Sequence, residues 1–230
     1  DELKQPGNFW KNTLEVTSQK SIAWQRTVSQ WIADEEKILK KKHLISQNIA
    51  NFAQPVFDVD PRISIYTFHY AKPNEVRVNY GLNKVIGFNE TGFAGKEDIT
   101  YRRQAWRFMM SGGGLFGQLD YSFSTGNETG ADELNEAPGG GSIALRRSFK
   151  VLKDFIQSLD LATLKPDESF IAHVENAFAY SMKTRDAYVI YMEPLSAKPT
   201  KFSLLLPNGN YKIEWKDVTS GKIINTGKIK

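Results

Sequence analysis

The chain has 230 residues, of which 30 are Lys or Arg and 26 are Asp or Glu, for a formal charge of +4. With 40% hydrophobic and 24% charged residues, it has the make-up of one or two ordinary globular domains with a real core, which excludes a disordered chain. The charge excess is scattered, and its one dense run, Lys40-Lys41-Lys42, falls at a predicted helix end where cations suit the dipole, so no nucleic-acid partner is expected.

From Ile22 to Lys41, Trp24, Val28, Trp31, Ile32, Ile38 and Leu39 recur at helical spacing with charges opposite, which predicts an amphipathic helix with those six residues inward. HLISQNIANF (43–52), bounded by Gln54-Pro55, reads as a buried strand. ISIYTFHY (63–70), entered through Asp60-Pro61, reads as a second strand, and Pro73 opens a short helical stretch to Tyr80. A third strand is predicted at KVIGFNE (84–90) and a fourth at LFGQLDYSF (115–123). Between them a helix over Ile99–Met110, with Trp106, Met109 and Met110 inward, is ended by Gly112-Gly113-Gly114. A last helix runs from Ser142 to Asp160 with Leu145, Phe149, Leu152, Phe155, Ile156 and Leu159 on its core face and Ser142 as N-cap. Strands alternating with helices argue for a parallel sheet with its site at the C-terminal strand ends.

The periodicity changes near Thr163. Short alternating runs separated by Pro-Asn-Gly-Asn and Thr-Ser-Gly-Lys turns predict a small antiparallel β domain over 163–230, behind an α/β unit over 1–162. At about 68 residues it sits near the lower limit for an independent core, so it is expected to pack on the last helix. GNETGADELNEAPGGG (126–141) is the one long irregular stretch, a kind of loop that is often functional.

Chemistry is constrained by what is missing as much as by what is present. The chain has no Cys, which removes thiolate nucleophiles and cysteine zinc sites. Its three imidazoles, His43, His69 and His173, lie far apart without an HExxH, so neither a metal nor another cofactor is expected. Serine-hydrolase, dinucleotide and P-loop signatures do not occur. No run approaches the ~18 apolar residues of a membrane span, and the opening DELKQPGN is not a signal peptide, so no membrane partner is expected.

The strand ends carry the polar inventory. They read Gln47-Asn48, Phe68-His69-Tyr70, Phe88-Asn89-Glu90-Thr91-Gly92 and Leu119-Asp120-Tyr121. Carboxylates, an imidazole, a phenol and a carboxamide would share one rim, which suits acid/base or nucleophilic carboxylate chemistry on a sugar-like substrate. Glu90 stands out because it closes an apolar strand and precedes a glycine; as a bland alternative, it caps the next turn. His69 reads equally well as a satisfied semi-buried histidine, and Tyr70 as wall packing. Asp58 and Asp60 form either a metal pair or a turn before Pro61, PGGGS an anion cradle or a loop entry, and Trp10 a sugar platform or a core residue.

The succession SQNIANF, SIYTFHYAKP, NYGLNKVIGFNETGFAG, YRRQAWRFMMSGGGLFGQLDYSFSTG resembles the second half of a glycoside hydrolase clan A barrel, closest to family 5 cellulase-like proteins with a small C-terminal β domain. The resemblance covers about residues 20–230 and is carried best by the His-Tyr and Glu-Thr-Gly strand ends. It implies the second half of a (β/α)8 barrel, running from helix four to helix eight, followed by an antiparallel β-sandwich. It implies a retaining O-glycosyl hydrolase acting on a poly- or oligosaccharide, with Glu90 as nucleophile and His69 and Tyr70 near it, although the family spaces these two as His-x-Tyr. Asn48, Asp120 and Tyr121 fall at substrate-binding positions, the last two where the family keeps an aromatic platform, and export to a secreted or periplasmic location is expected.

Residue arithmetic agrees with a half-barrel. Strand starts near 43, 63, 84 and 115 use about 20–30 residues per unit, so eight units need roughly 200–250 residues, against about 160 before the β domain. An open four-stranded parallel sheet leaves two bare edges, so an upstream half-barrel fragment or a second copy is expected to close it. The acid/base Glu is then expected upstream, and this chain alone is expected to be nearly inactive. A non-catalytic carbohydrate-binding module and a purely structural half-barrel are the competing readings.

Overall fold

A computed structural model describes residues 11–51, 54–131, 138 and 140–230. Trp10 and most of the acidic stretch of the 126–141 loop lie outside them. Four strands, β1 (Ser46–Asn51), β2 (Ile65–His69), β3 (Val85–Glu90) and β4 (Leu115–Phe116), form one sheet in that order, and all three pairings are parallel. The alternating-element pattern is therefore realised as a mixed α/β fold.

Alternation along the strands sorts the sheet into two faces. Tyr66, Phe68, Ile86 and Phe88 point to one side, where they pack with Val76 and with Phe108 of α2 (Asp98–Met110) in a buried core. Each such side chain contributes about 1.5–3 kcal/mol on burial. The opposite face carries Thr67, Gly87 and Leu115 from adjacent strands. A Cβ on Gly87 would come 2.9 Å from Thr67 Cγ2 and 3.3 Å from Leu115 Cδ2, so glycine lets three strands approach closely there. This face is partly bare, with Val85 41% and Leu115 39% exposed, although parallel sheets are normally covered on both sides.

The first helix, α1 (Lys11–Glu35), gives way to a short 3-10 turn at Glu36–Ile38, well before the expected end at Lys41. Glu36 is the reason. Its buried carboxylate accepts the His43 backbone N–H at 3.0 Å and also engages the His43 ring, which folds the chain back and places Lys40–Lys42 in a loop. The predicted inward face is also corrected. Trp24 (65%), Trp31 (61%) and Ile38 (86%) are exposed, while Ser29 is buried. Ser29 donates to Asp60 Oδ2 at 3.0 Å and Arg26 pairs with Asp58, so polar anchors decide which side of α1 turns to the loop before β2.

The third helix, α3 (Ile143–Gln157), matches its predicted start: Ser142 caps it by accepting the Leu145 N–H at 2.8 Å. Leu145, Leu152 and Ile156 are buried, as their spacing predicts. Beyond it lie three small antiparallel sheets. β5 (Lys165–Pro166), β7 (Ala177–Lys183) and β8 (Tyr188–Pro194) form the first; β6 (Ile171–Glu175) pairs with β9 (Lys201–Leu204); β10 (Tyr211–Lys216) pairs with β11 (Ile223–Ile229). The run from Phe170 to Met182 is broken by Asn176 in the left-handed region, φ 61°, which splits it into β6 and β7.

The first of these sheets is fastened to the helices. Met182, Val189 and Tyr191 share a buried cluster with Ala105, Trp106, Leu152 and Ile156, and the Trp106 and Tyr191 rings stack at 5.2 Å. Beside that stack, buried Glu193 accepts from Arg107 Nε at 3.0 Å and from the Tyr191 hydroxyl at 2.7 Å. Burial, reinforced by the adjacent Glu193 carboxylate, pushes the Tyr191 phenol far above its ordinary range.

Candidate active site

The C-terminal ends of β2 and β3 bring three predicted residues together: His69, Tyr70 and Glu90. In regular pairing, Phe88 lies opposite Phe68 and the next residue, Asn89, would lie opposite His69. The register instead slips at this point, so His69 faces Glu90. This bulge inserts one extra residue into β3 and turns Glu90 away from the core side that Phe88 occupies, toward the rim.

A second irregularity completes the cluster. Adjacent residues on a strand point to opposite faces, which would separate His69 from Tyr70. Tyr70, however, sits in the left-handed region at φ 50°, with its N–H bonded to the Glu90 carbonyl at 2.9 Å. That turn swings the phenol back, and its hydroxyl donates to Glu90 Oε1. His69 Nδ1 lies 3.2 Å from Glu90 Oε2. The tight His-Tyr spacing is thus accommodated by one strained backbone position, of a kind that costs on the order of 1–3 kcal/mol and concentrates at functional sites.

Burial grades across the group. The His69 side chain is 4% exposed and that of Glu90 25%, so the carboxylate has a protein-lined back and an open front. Each carboxylate oxygen has two lone pairs. With one contact to each, Glu90 keeps acceptor capacity toward solvent.

Asn48 joins from β1. Its side-chain oxygen accepts from Thr67 Oγ1 and, at 3.1 Å, from Asn89 Nδ2. Asn89 and Thr67 were not singled out from the sequence, and the bulge that presents Asn89 has no local signature there. Phe93 was also missed. It is 72% exposed at φ 57°, and its ring meets Tyr70 edge-on at 5.8 Å between centroids.

Asp120 and Tyr121 are placed differently. The predicted strand 115–123 shortens to β4 because Gly117 passes directly against Asn89, where a Cβ would lie 2.9 Å from the Asn89 carbonyl oxygen. The chain continues as an extended loop tied by Leu119 N to Thr91 O at 2.8 Å. Asp120 turns toward α3: Oδ2 accepts from Arg146 at 2.9 Å and Oδ1 from the Ser122 N–H at 2.9 Å. Burial works to raise this carboxyl, but the Ser122 and Arg146 hydrogen bonds outweigh it and hold it below the usual carboxylate range. Arg146 also reaches the Gly141 carbonyl at 2.8 Å and that of Gly130, so Asp120 helps pin a loop. Tyr121 is 52% exposed.

Asp58 and Asp60 are each taken by a guanidinium. Arg62 grips Asp60 at 2.8 Å through both Nε and Nη2, and Asp60 is held down to about 2 by these bonds against the opposing effect of burial. Among the described residues no group of three or more His, Cys, Asp or Glu is placed to hold a metal ion, and no helix is long and apolar enough to cross a membrane.

A groove of 920 Å³ lies elsewhere, between β4 and α3, lined by Val85, Phe116, Gln118, Phe149, Leu152 and Ile156 among others. None of His69, Tyr70 or Glu90 lines it. Asp120 and Arg146 line it together with these apolar side chains, beside the edge strand β4 and apart from the His69–Tyr70–Glu90 cluster at the β2–β3 rim. No family model, curated protein or solved structure matches the chain.

Proposed function

We propose that the chain carries the nucleophile half of a retaining glycoside hydrolase acting on a poly- or oligosaccharide. The observation that supports this most is the bulge-borne Glu90, one oxygen bonded by the Tyr70 hydroxyl and the other 3.2 Å from the buried His69 imidazole, at the C-terminal end of a parallel strand. These contacts orient the carboxylate, whose ionised form is the nucleophile in such a reaction. Attack of a Glu90 oxygen on the anomeric carbon forms the glycosyl–enzyme ester as the leaving oxygen takes a proton from a second carboxylic acid. That group, now a base, then draws a proton from water, which cleaves the ester with net retention.

Retention requires the two carboxyl groups about 5–5.5 Å apart, and Asp120 is engaged by α3. On this reading the partner carboxylate lies outside the described residues, on a polypeptide segment that covers the bare face of the sheet and pairs with the edges that β1 and β4 leave open among the described residues. An upstream half-barrel completing a (β/α)8 closure fits the uncovered Val85 and Leu115, the groove beside β4 and the exposed tryptophans of α1. An enzyme that degrades polysaccharide works outside the cytoplasm, so a secreted or periplasmic setting goes with this reading.

The test is Glu90→Gln in the assembled enzyme. Turnover of an aryl glycoside is expected to fall by about 10³-fold or more with sugar binding retained. Wild-type rates would remove Glu90 from the chemistry, and sugar binding without hydrolysis in the unmutated assembly would leave a binding module.

A further inference from the structure

We infer that Phe93 is a platform against which a sugar ring stacks beside Glu90, which gives this site an aromatic wall after β3. The inference rests on the glycosidase reading above. Phe93 lies three positions past Glu90 with its backbone at φ 57° and its side chain 72% exposed. Glycine adopts that conformation freely, whereas a bulky side chain does so against its preference. Glycine is used for the same purpose two residues on, where Gly95 has φ 89°. An aromatic that is both strained and left in water gains little stability from its position, which points to a ligand contact.

The turn that presents the ring is built firmly. Phe93 N donates to the Pro138 carbonyl at 2.6 Å, and the next N–H, of Ala94, donates to the Tyr101 hydroxyl at 3.0 Å. That hydroxyl donates in turn to Gly95 O at 2.6 Å, from a side chain that is wholly buried. The ring is therefore held in place by its backbone, and its edge-on contact with Tyr70 links it to the phenol that bonds Glu90. Past β4, Phe123 has the Arg146 guanidinium 5.1 Å above its ring, while Tyr121 is 52% exposed. A phenyl face has no hydrogen-bonding handle, so the class it selects is a pyranoside presenting a face of C–H groups, with its hydroxyls directed to Asn48, Asn89 and solvent.

The experiment is saturation-transfer NMR of the full chain with a panel of methyl α- and β-pyranosides of glucose, galactose, mannose and xylose, alongside thermal melts. Wild type and Glu90→Gln are expected to saturate ring C–H protons of at least one member. Phe93→Gly is expected to weaken that binding roughly tenfold or more, with a melting temperature equal to or above wild type, and Phe93→Trp to retain it within about threefold. Binding by Phe93→Gly within about threefold of wild type overturns the platform and leaves the glycosidase reading intact. Loss of binding together with a lowered melting temperature shows a structural Phe93 and also overturns it. If wild type binds none of the pyranosides, the platform is overturned, while the glycosidase reading stands or falls separately on Glu90→Gln in the assembled enzyme.

Discussion

Glu90 and Asp120 are both carboxylates just past parallel strands, yet their surroundings set them apart. Glu90 faces a phenol and an imidazole and keeps 25% of its side chain in solvent. Asp120 is bound by Arg146 and the Ser122 N–H, with 13% exposed, and ties the chain just past β4 to α3. A guanidinium neutralises the charge it pairs with and fixes it in place, whereas a phenol adds a hydrogen bond without a compensating charge. On the proposed reading a strand-end position alone does not give a carboxylate a role, and its partners decide.

The comparison breaks first under paired substitution. Glu90→Gln should abolish turnover in the assembled enzyme while barely changing stability. Asp120→Asn should do the reverse, keeping turnover within about tenfold but losing about 1–3 kcal/mol in chemical denaturation, as the Arg146 charge loses its partner. Equal effects on turnover would place Asp120 at the reacting centre after all. Tyr70→Phe sharpens the Glu90 side. It removes the hydroxyl bond and leaves the ring, so kcat should fall by about 10²-fold with little change in melting, and a rate near wild type would show that the phenol only packs.

The smallest effect concerns acid stability, and Asp60 supplies it. Its folded-state value of about 2 lies below the ordinary 3.8. Its contribution is thus fully present above about pH 4 and is lost as pH falls toward 2. Asp60→Asn should lower the melting temperature at pH 6 by about 2–4 °C and narrow that gap at pH 2. A gap that stays constant with pH would mean that the Arg62 grip does not set the carboxyl.

Regular elements were readable from spacing because each obeys a period that packing then rewards. Ser142 followed by Leu145, Leu152 and Ile156 predicts α3 within a residue at its start, and the apolar run to Phe88 predicts β3. Hydrophobic spacing failed on α1, where Ser29 and Arg26 hold the helix by polar bonds and leave Trp24 and Trp31 outward. The site itself was legible as an inventory but not as a geometry. His69, Tyr70 and Glu90 could be named, but the left-handed Tyr70 and the bulge at Asn89 that bring them together are set by pairing with a neighbouring strand. Phe93 escaped for the same reason, since a solvent-exposed phenylalanine in a turn follows no period.

The most direct measurement is active-site trapping. The assembled enzyme would be incubated with a 2-deoxy-2-fluoro glycoside bearing a dinitrophenyl leaving group, which slows breakdown of a glycosyl–enzyme ester, and the labelled peptide would then be sequenced by mass spectrometry. The account predicts one sugar, esterified to Glu90 within the peptide that contains Asn89 and Phe93. A label on any other residue, or an enzyme that turns over substrate while remaining unlabelled, would contradict it.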